Sequence, residues 1–302
     1  MEKCLKKNIL KSYNIVYNGD SYSYEKCKKC GLVITKPSIS VNIDTYNTGH
    51  YRVKSYFIIP MLINFFDYLY IYVILLRKSI TPKSYILDFG CGKGFFLYFL
   101  KLFKNKNLYG IETANTRAEY ASNLTKLNIS REYYLTGKIN DLKYDCITLV
   151  HVLEHIAKPF DLLNALINDC LNKNGVIFIE VPNINSISSK IGGNVWAHFT
   201  PHFHINHFTS KSLRYHCELN NIQYEYVGSF SFYHGVMGMT SSLLSIFGYK
   251  GSLFEDLKNK VPLAIISFLL LLPFSLIFEF LCAFILKKGS VIKCVIQKNV
   301  DK

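Results

Sequence analysis

The sequence predicts an α/β fold built on a parallel sheet with helices on both faces. It adds a small cysteine-containing module at the N-terminus and an apolar helical insert before the last strand. Three observations carry this reading. From Ser84 onward, short β-branched runs alternate with helix-forming segments, the pattern of strands covered on both faces. A glycine-rich turn, "DFGCGKG", follows the first of those runs. Two long apolar stretches, 56–76 and 261–286, stand outside the alternation.

Residues 1–50 are polar and tyrosine-rich, with "CKKCG" at Cys27 to Gly31, and read as a separate module. Residues 51–83 form an apolar helical linker around "YFIIPMLINFFDYLYIYVILL", interrupted by Asn64 and Asp67. The core runs from 84 to 231. In it "SYILDFG", "NLYGIE", "REYYLT", "DCITLV", "GVIFIEVP" and "IQYEYVGSF" read as strands. The segments "GFFLYFLKLF", "TRAEYASNLTKL", "PFDLLNALINDCL" and "SKSLRYHCEL" read as helices, the last with Thr209 or Ser210 as its N-cap. Residues 232–288 make the hydrophobic insert, and 289–302 hold a last strand, "SVIKCVIQK", and the tail.

Half of the 302 residues are apolar and 15% aromatic, which excludes a disordered chain. The 35 Lys+Arg against 21 Asp+Glu leave a net charge of +14. Such an excess suits nucleic acid, an anionic membrane surface or a solvated lysine face, and the apolar stretches favour the membrane. The opening "MEKCLKKNILKSYN" has no apolar core or small-residue cleavage site, so no secretory signal is expected. Nine cysteines are scattered through apparent strands and helices, the usage of reduced thiols in a cytoplasmic protein.

The glycine turn carries the first chemistry. Ligands of open α/β sheets sit beyond the carboxyl ends of the strands, where this turn lies. Gly90, Gly92 and Gly94 allow positive φ and let a ligand touch the main chain, and the next helix offers unpaired N–H groups. The spacing departs from the dinucleotide fingerprint, with the third glycine one residue early and Phe95 where a small residue is needed. Asp88, just before the first glycine, repels a pyrophosphate but suits an ammonium group. Glu112, at the end of the next strand, is placed to accept both hydroxyls of a ribose. An adenosyl amino acid meets all three demands.

The segments "ILDFGCGKGFFL", "LYGIE" and "YDCITLVHVLEHIAKPFDLLNALINDCLNKNGVIFIEVPN" resemble the class I S-adenosylmethionine-dependent methyltransferases, in particular the broad group whose fourth strand runs into "VLEH". The resemblance covers about 84–230 plus the last strand. It implies a Rossmann-like seven-stranded sheet with the last strand inserted beside the fifth, and S-adenosyl-L-methionine as cofactor. Asp88, Gly90, Cys91, Gly92 and Gly94 would line the methionine end, Glu112 the ribose, and the backbone of Ile139 the adenine. Relatives often carry an acid near Lys138, where this chain has "GKIND".

"LVHVLEHI" places His151, Glu154 and His155 just past the fourth strand, on the methyl-facing side in that family. Two readings stand: a general base or metal group, or residues that cap and brace the following helix. "WAHFTPHFHINHFTSKSL" adds His198, His202, His204 and His207, in a segment that resembles the acceptor-pocket wall of the same group. His151, His155, His204 and His207 are thus the candidate catalytic residues; a zinc cluster is disfavoured by the missing helical pair. The N-terminal Cys27 and Cys30 match half of a zinc ribbon found in several such methyltransferases. With Cys4 they make three candidate ligands, one short of a closed structural site.

"VPLAIISFLLLLPFSLIFEFLCAFIL" is flanked by Lys258, Lys260, Lys287 and Lys288. The strand after it belongs to the same sheet as the strands before it, which excludes a single crossing of a bilayer. Pro273, near its middle, predicts a helical hairpin or interfacial pair dipping into one leaflet. Together these features predict methyl transfer to oxygen of a lipid or lipid-linked glycan, by an enzyme peripheral or monotopic at the inner face of the cell membrane. Two alternatives stay open: a soluble methyltransferase of sugars or small metabolites, and an inactive scaffold of the same fold. No nucleic-acid partner is expected, because "HVLEH" stands where base-methylating enzymes carry an Asn/Asp-Pro-Pro-aromatic segment.

Overall fold

The computed structural model describes residues 9–17, 20–36, 58–132 and 142–298. Cys4 and Ile139, two of the candidate ligating or binding positions, lie outside the described residues. The chain divides into two units. One is assembled from Met1–Ile39, Val181–Leu213 and Tyr226–Lys293, the other from Ser40–Glu180, Arg214–Glu225 and Cys294–Lys302.

In the first unit, β1 (Ile9–Tyr17), β2 (Asp20–Cys27) and β3 (Val33–Lys36) form antiparallel pairs. β3 also pairs with the two-residue β9 (Asn206–His207), closing a four-stranded sheet. The buried Tyr22, Tyr24, Trp196 and Phe199 form the core beneath it. Aromatic residues at alternate positions of β2 explain the packing, since side chains two apart share a sheet face.

The larger sheet has seven strands. Its strands are β4 (Tyr85–Phe89), β5 (Asn107–Ile111), β6 (Ile129–Ser130), β7 (Tyr144–Val150), β8 (Leu171–Pro182), β10 (Ile222–Gly228) and β11 (Val291–Lys298). They lie in the order β10–β11–β8–β7–β4–β5–β6. The pairs β4–β5, β4–β7, β5–β6 and β7–β8 are parallel. This is the class I Rossmann-like order, with the last strand inserted beside the fifth. β6 is described at Ile129–Ser130; of the expected strand "REYYLT" only Arg131 and Glu132 are among the described residues.

The apolar stretch of the linker is one helix, α1 (Ile58–Arg77). It packs on α2 (Phe95–Leu102), the helix that follows the glycine turn. Phe99 is fully buried, and the rings of Phe65, Tyr68 and Tyr72 pack around it at centroid distances of 5.8, 5.8 and 6.2 Å. The remaining helices are α3 (Asn115–Thr125), α4 (Pro159–Ala165), α5 (Ile187–Gly192), α6 (Ser210–Leu219), α7 (His234–Ile246), α8 (Leu253–Lys258) and α9 (Pro262–Phe280).

The insert departs from the expected hairpin. α9 runs unbroken through Pro273 and continues as a π-helical turn over Leu281–Ile285. Proline costs a helix interior one hydrogen bond and a steric clash, about 3 kcal/mol. Packing along α7 offsets that cost. The Thr240 hydroxyl donates to Ser275 Oγ at 2.8 Å, and Glu279 accepts from the Ser290 N–H and hydroxyl, each at 2.7 Å. Both clasps lie on the C-terminal side of Pro273 and tie down the helix that continues past it.

Phe99→Ala is expected to destabilise the protein by about 3–5 kcal/mol, because it removes the ring that α1 and α2 share. Urea unfolding followed by circular dichroism measures this, with Phe99→Leu expected to lose clearly less.

Candidate active site

β4 ends at Phe89, and the chain turns back over the end of β5. The N–H groups of Gly90 and Cys91 both donate to the Ile111 carbonyl, at 2.8 and 2.9 Å. That turn forces positive φ on Gly90 (+76°) and Gly92 (+56°). A Cβ on Gly90 would stand 2.6 Å from Val152 Cγ2, whereas one on Gly92 would meet nothing within 4 Å. The first glycine is therefore required by packing, and the second presents bare backbone to open space. Cys91 is buried against this turn, and burial, with Asp88 and Glu112 nearby, pushes its thiol well up, so it is an inert wall and not a nucleophile.

Two buried carboxylates frame the turn. Glu112 spans it: one oxygen accepts the Gly92 N–H at 3.0 Å and the other the Ala114 N–H at 2.8 Å. Asp88 lies beside Thr148 across the β4–β7 ladder and accepts its hydroxyl at 2.7 Å. Burial raises the Asp88 carboxyl, Thr148 opposes the rise, and the Glu112 charge adds to it, leaving its pKa at about 7. A carboxylate made costly by burial is relieved by a cation, so the site favours an ammonium group. An open glycine backbone between two buried acids fits the amino-acid and ribose ends of S-adenosylmethionine.

His151, just past β7, adopts φ +54°, the left-handed region that a non-glycine residue enters at a cost. Its backbone N–H donates to the Glu180 carbonyl at 2.8 Å. Its ring lies between two buried carboxylates, with Nδ1 at 3.1 Å from Glu154 Oε1 and Nε2 at 3.3 Å from Glu180 Oε1. Burial alone would lower the imidazole, but both acids overcome it and lift it to about 9. Burial likewise pushes Glu154 up, and His151 more than reverses this, so its carboxyl stays below its ordinary range. His151 is thus an imidazolium bridging the ends of β7 and β8. His155 follows on the same single turn of 3₁₀ helix, Leu153–His155.

In the first unit the histidine segment is tied to the N-terminal sheet. Tyr22 Oη meets His202 Nδ1 at 2.5 Å. The Thr35 hydroxyl donates to the His204 carbonyl at 3.0 Å, so it accepts from His207 Nε2 at 3.0 Å. His204 Nδ1 lies 2.7 Å from the His198 carbonyl and must donate to it. Cys27 and Cys30 are buried on a tight turn in which the Gly31 N–H donates to the Cys27 carbonyl at 2.9 Å. Among the described residues, no group of three metal-ligating side chains includes either cysteine.

Glu180 and Thr148 escaped the sequence reading. Glu180 is the lone acid in an otherwise apolar strand, "VIFIEVP", a signal that marks a buried charge with a partner. Thr148 carries no such mark, since threonine is common in strands.

A family model described as a methyltransferase domain matches residues 71–227, just over half of the chain. The chain belongs to that methyltransferase family: it is a class I enzyme whose cofactor is S-adenosylmethionine. No curated protein matches it. Among solved structures, it resembles the plantazolicin methyltransferase BpumL in complex with a triazolic desmethylPZN analog and SAH. That likeness has 17% identity and a TM-score of 0.50 over 80% of this chain and 87% of that one. It also resembles a putative sarcosine dimethylglycine methyltransferase from Galdieria sulphuraria, at 13% identity and a TM-score of 0.51 over 78% of this chain and 86% of that one. At such identities the likeness is one of fold.

Cofactor affinity is expected to weaken as pH falls below about 7, since Asp88 then takes up a proton and loses its attraction for the ammonium group. The limiting slope is about tenfold per pH unit. Calorimetric titration from pH 5.5 to 8.5 measures it, and Asp88→Asn is expected to bind weakly with a flat profile. Glu180→Gln is expected to lower the His151 pKa, read from its ring-proton shifts by NMR, because one of the two charges that hold the imidazolium is gone.

Proposed function

We propose that this methyltransferase transfers a methyl group to an oxygen of a lipid or lipid-linked glycan at the inner face of the cell membrane. The cofactor supplies an electrophilic methyl group on a sulfonium centre. Asp88 binds the ammonium end, the bare backbone of Gly92 admits the amino-acid portion, and Glu112 accepts the ribose hydroxyls while holding the turn closed. Ile139 is assigned to the adenine edge through its backbone.

For a hydroxyl acceptor, a positioned base removes the proton as the bond forms. His204 is assigned that task among the four candidates, because a ring whose Nδ1 proton is committed to the His198 carbonyl can take up a proton only at Nε2. His207 donates through Nε2 to Thr35 and serves as a brace for the same loop. His151, positively charged at neutral pH, orients the β7 end and does not accept a proton. His155 remains assigned to the methyl-facing turn. A zinc ion on Cys4, Cys27 and Cys30 has no role in this chemistry.

The observation that carries the lipid-borne acceptor is the outward apolar surface of α9, where Leu263 is 74% and Leu270 67% exposed. An enzyme of a purely aqueous metabolite has no use for it. The experiment is transfer of radiolabelled methyl from S-adenosylmethionine in a membrane lysate, followed by solvent partition. Label in the organic phase supports the reading, label confined to water-soluble sugars or metabolites replaces it with the soluble alternative, and a folded protein that binds no cofactor is a scaffold. With the acceptor in hand, His204→Ala is expected to lower kcat on the order of a hundredfold or more, with cofactor affinity unchanged.

A further inference from the structure

The segment Pro262–Ile285 is long and apolar enough to cross a bilayer, 24 residues or about 36 Å of helix. Two ordinary explanations for such a helix fail here. It is no signal sequence, since it lies far from the N-terminus, and it is no core helix, since only 22% of its most apolar stretch is buried.

Its two faces differ along the whole length. Ala264, Ser275, Glu279, Cys282 and Ala283 are buried. This small and polar face lies on α7, which runs antiparallel to it: Thr240 meets Ser275, Gly235 meets Glu279, and Phe268 and Leu271 pack on the Met237–Leu244–Leu253 cluster. The opposite face presents Leu263, Ile266, Leu270, Phe274, Ile277 and Phe284, all more than half exposed. Their spacings of three, four and seven residues keep them on a single stripe. A helix bound lengthwise to its own protein cannot stand across a bilayer without dragging the Thr240–Ser275 and Glu279–Ser290 clasps into hydrocarbon. It can lie flat.

Charge decides what it lies on. Between Leu257 and Ser290 the one acid is the buried Glu279, whereas Lys258, Lys260, Lys287 and Lys288 are all exposed, two at each end. A second copy on the same stripe would bring lysine pairs against lysine pairs in either orientation. Anionic headgroups flanking a shallow hydrocarbon trough match both the stripe and its ends.

We propose that α9 and its π-helical extension form an in-plane membrane anchor. The Leu263-to-Phe284 stripe enters one leaflet, and the lysine pairs bind anionic lipid headgroups at both ends. The anchor deepens the lipid-borne acceptor reading and draws its biological purpose from it, although it stands on α9 alone.

The test is flotation of the full-length protein with vesicles of phosphatidylcholine alone or with phosphatidylglycerol added. Co-flotation is expected with the mixed vesicles and is expected to fall roughly tenfold without the anionic lipid. Phe274→Asp/Ile277→Asp is expected to lower it by a similar factor or more, and Lys287→Glu/Lys288→Glu to lower it with less effect at high salt. These side chains point outward, so circular dichroism and cofactor binding of the variants should match the parent. A Phe274→Trp variant gives the depth: emission shifts to the blue and is quenched by lipids brominated on their acyl chains. Failure of the parent to float with either vesicle, or equal flotation of Phe274→Asp/Ile277→Asp, overturns the anchor. So does a dimer by sedimentation that the same variant dissociates while vesicles go unbound. Flotation with no label in organic-soluble product keeps the anchor and removes the lipid acceptor; organic-soluble label without flotation does the reverse.

Discussion

The Glu112 carboxylate is the constraint on which the glycine turn depends. It joins the glycine turn after β4 to the start of α3 by accepting one N–H from each, Gly92 and Ala114. A turn with positive φ at three glycines has little hydrogen bonding of its own. The Ile111 carbonyl takes two of its N–H groups and Glu112 takes a third. The same carboxylate raises the cost of ionising Asp88 nearby. Structure and electrostatics are therefore coupled through one side chain. The residue assigned to the ribose also adds to the rise that burial imposes on the residue assigned to the ammonium group.

A second device of the same kind fixes the end of β7. His151 sits in a backbone conformation that costs energy, and two buried acids hold it there. Neither buried acid would be tolerated alone, nor would the charged ring. The three compensate one another only in the folded arrangement. This explains why Glu180 can occupy an interior strand whose stretch from Val176 to Val181 is otherwise aliphatic or aromatic. Of the two readings of His151, a base or metal group and a brace, these contacts fit the brace.

In the other unit the N-terminal module has a mechanical use that does not require metal. Tyr22 and Thr35, from two of its strands, hold His202 and His207, and Thr35 also grips the His204 backbone. Cys30 lies on the adjoining turn, where its carbonyl takes a long 3.5 Å bond from Thr209, the residue before α6. The module thus orders a histidine-rich loop that has only two residues of strand of its own.

The alternation of strands and helices, the glycine turn, Asp88, Glu112 and the helix "SKSLRYHCEL" were legible in the sequence, because each rests on a local rule of periodicity, spacing or glycine stereochemistry. Those rules act over a few residues and need no partner. The tertiary structure alone decided which groups meet. Thr148 reaches Asp88 only through the β4–β7 register, Glu180 reaches His151 across 29 positions of chain, and Thr35 reaches His207 across 172. It also decided the course of α9. Pro273 is a helix breaker by its local chemistry, but the lost hydrogen bond is a few kcal/mol against clasps supplied by Thr240 and Ser290. Sequence distance hides such partners, since a side chain's proton, charge and cost of burial depend on what stands beside it in space.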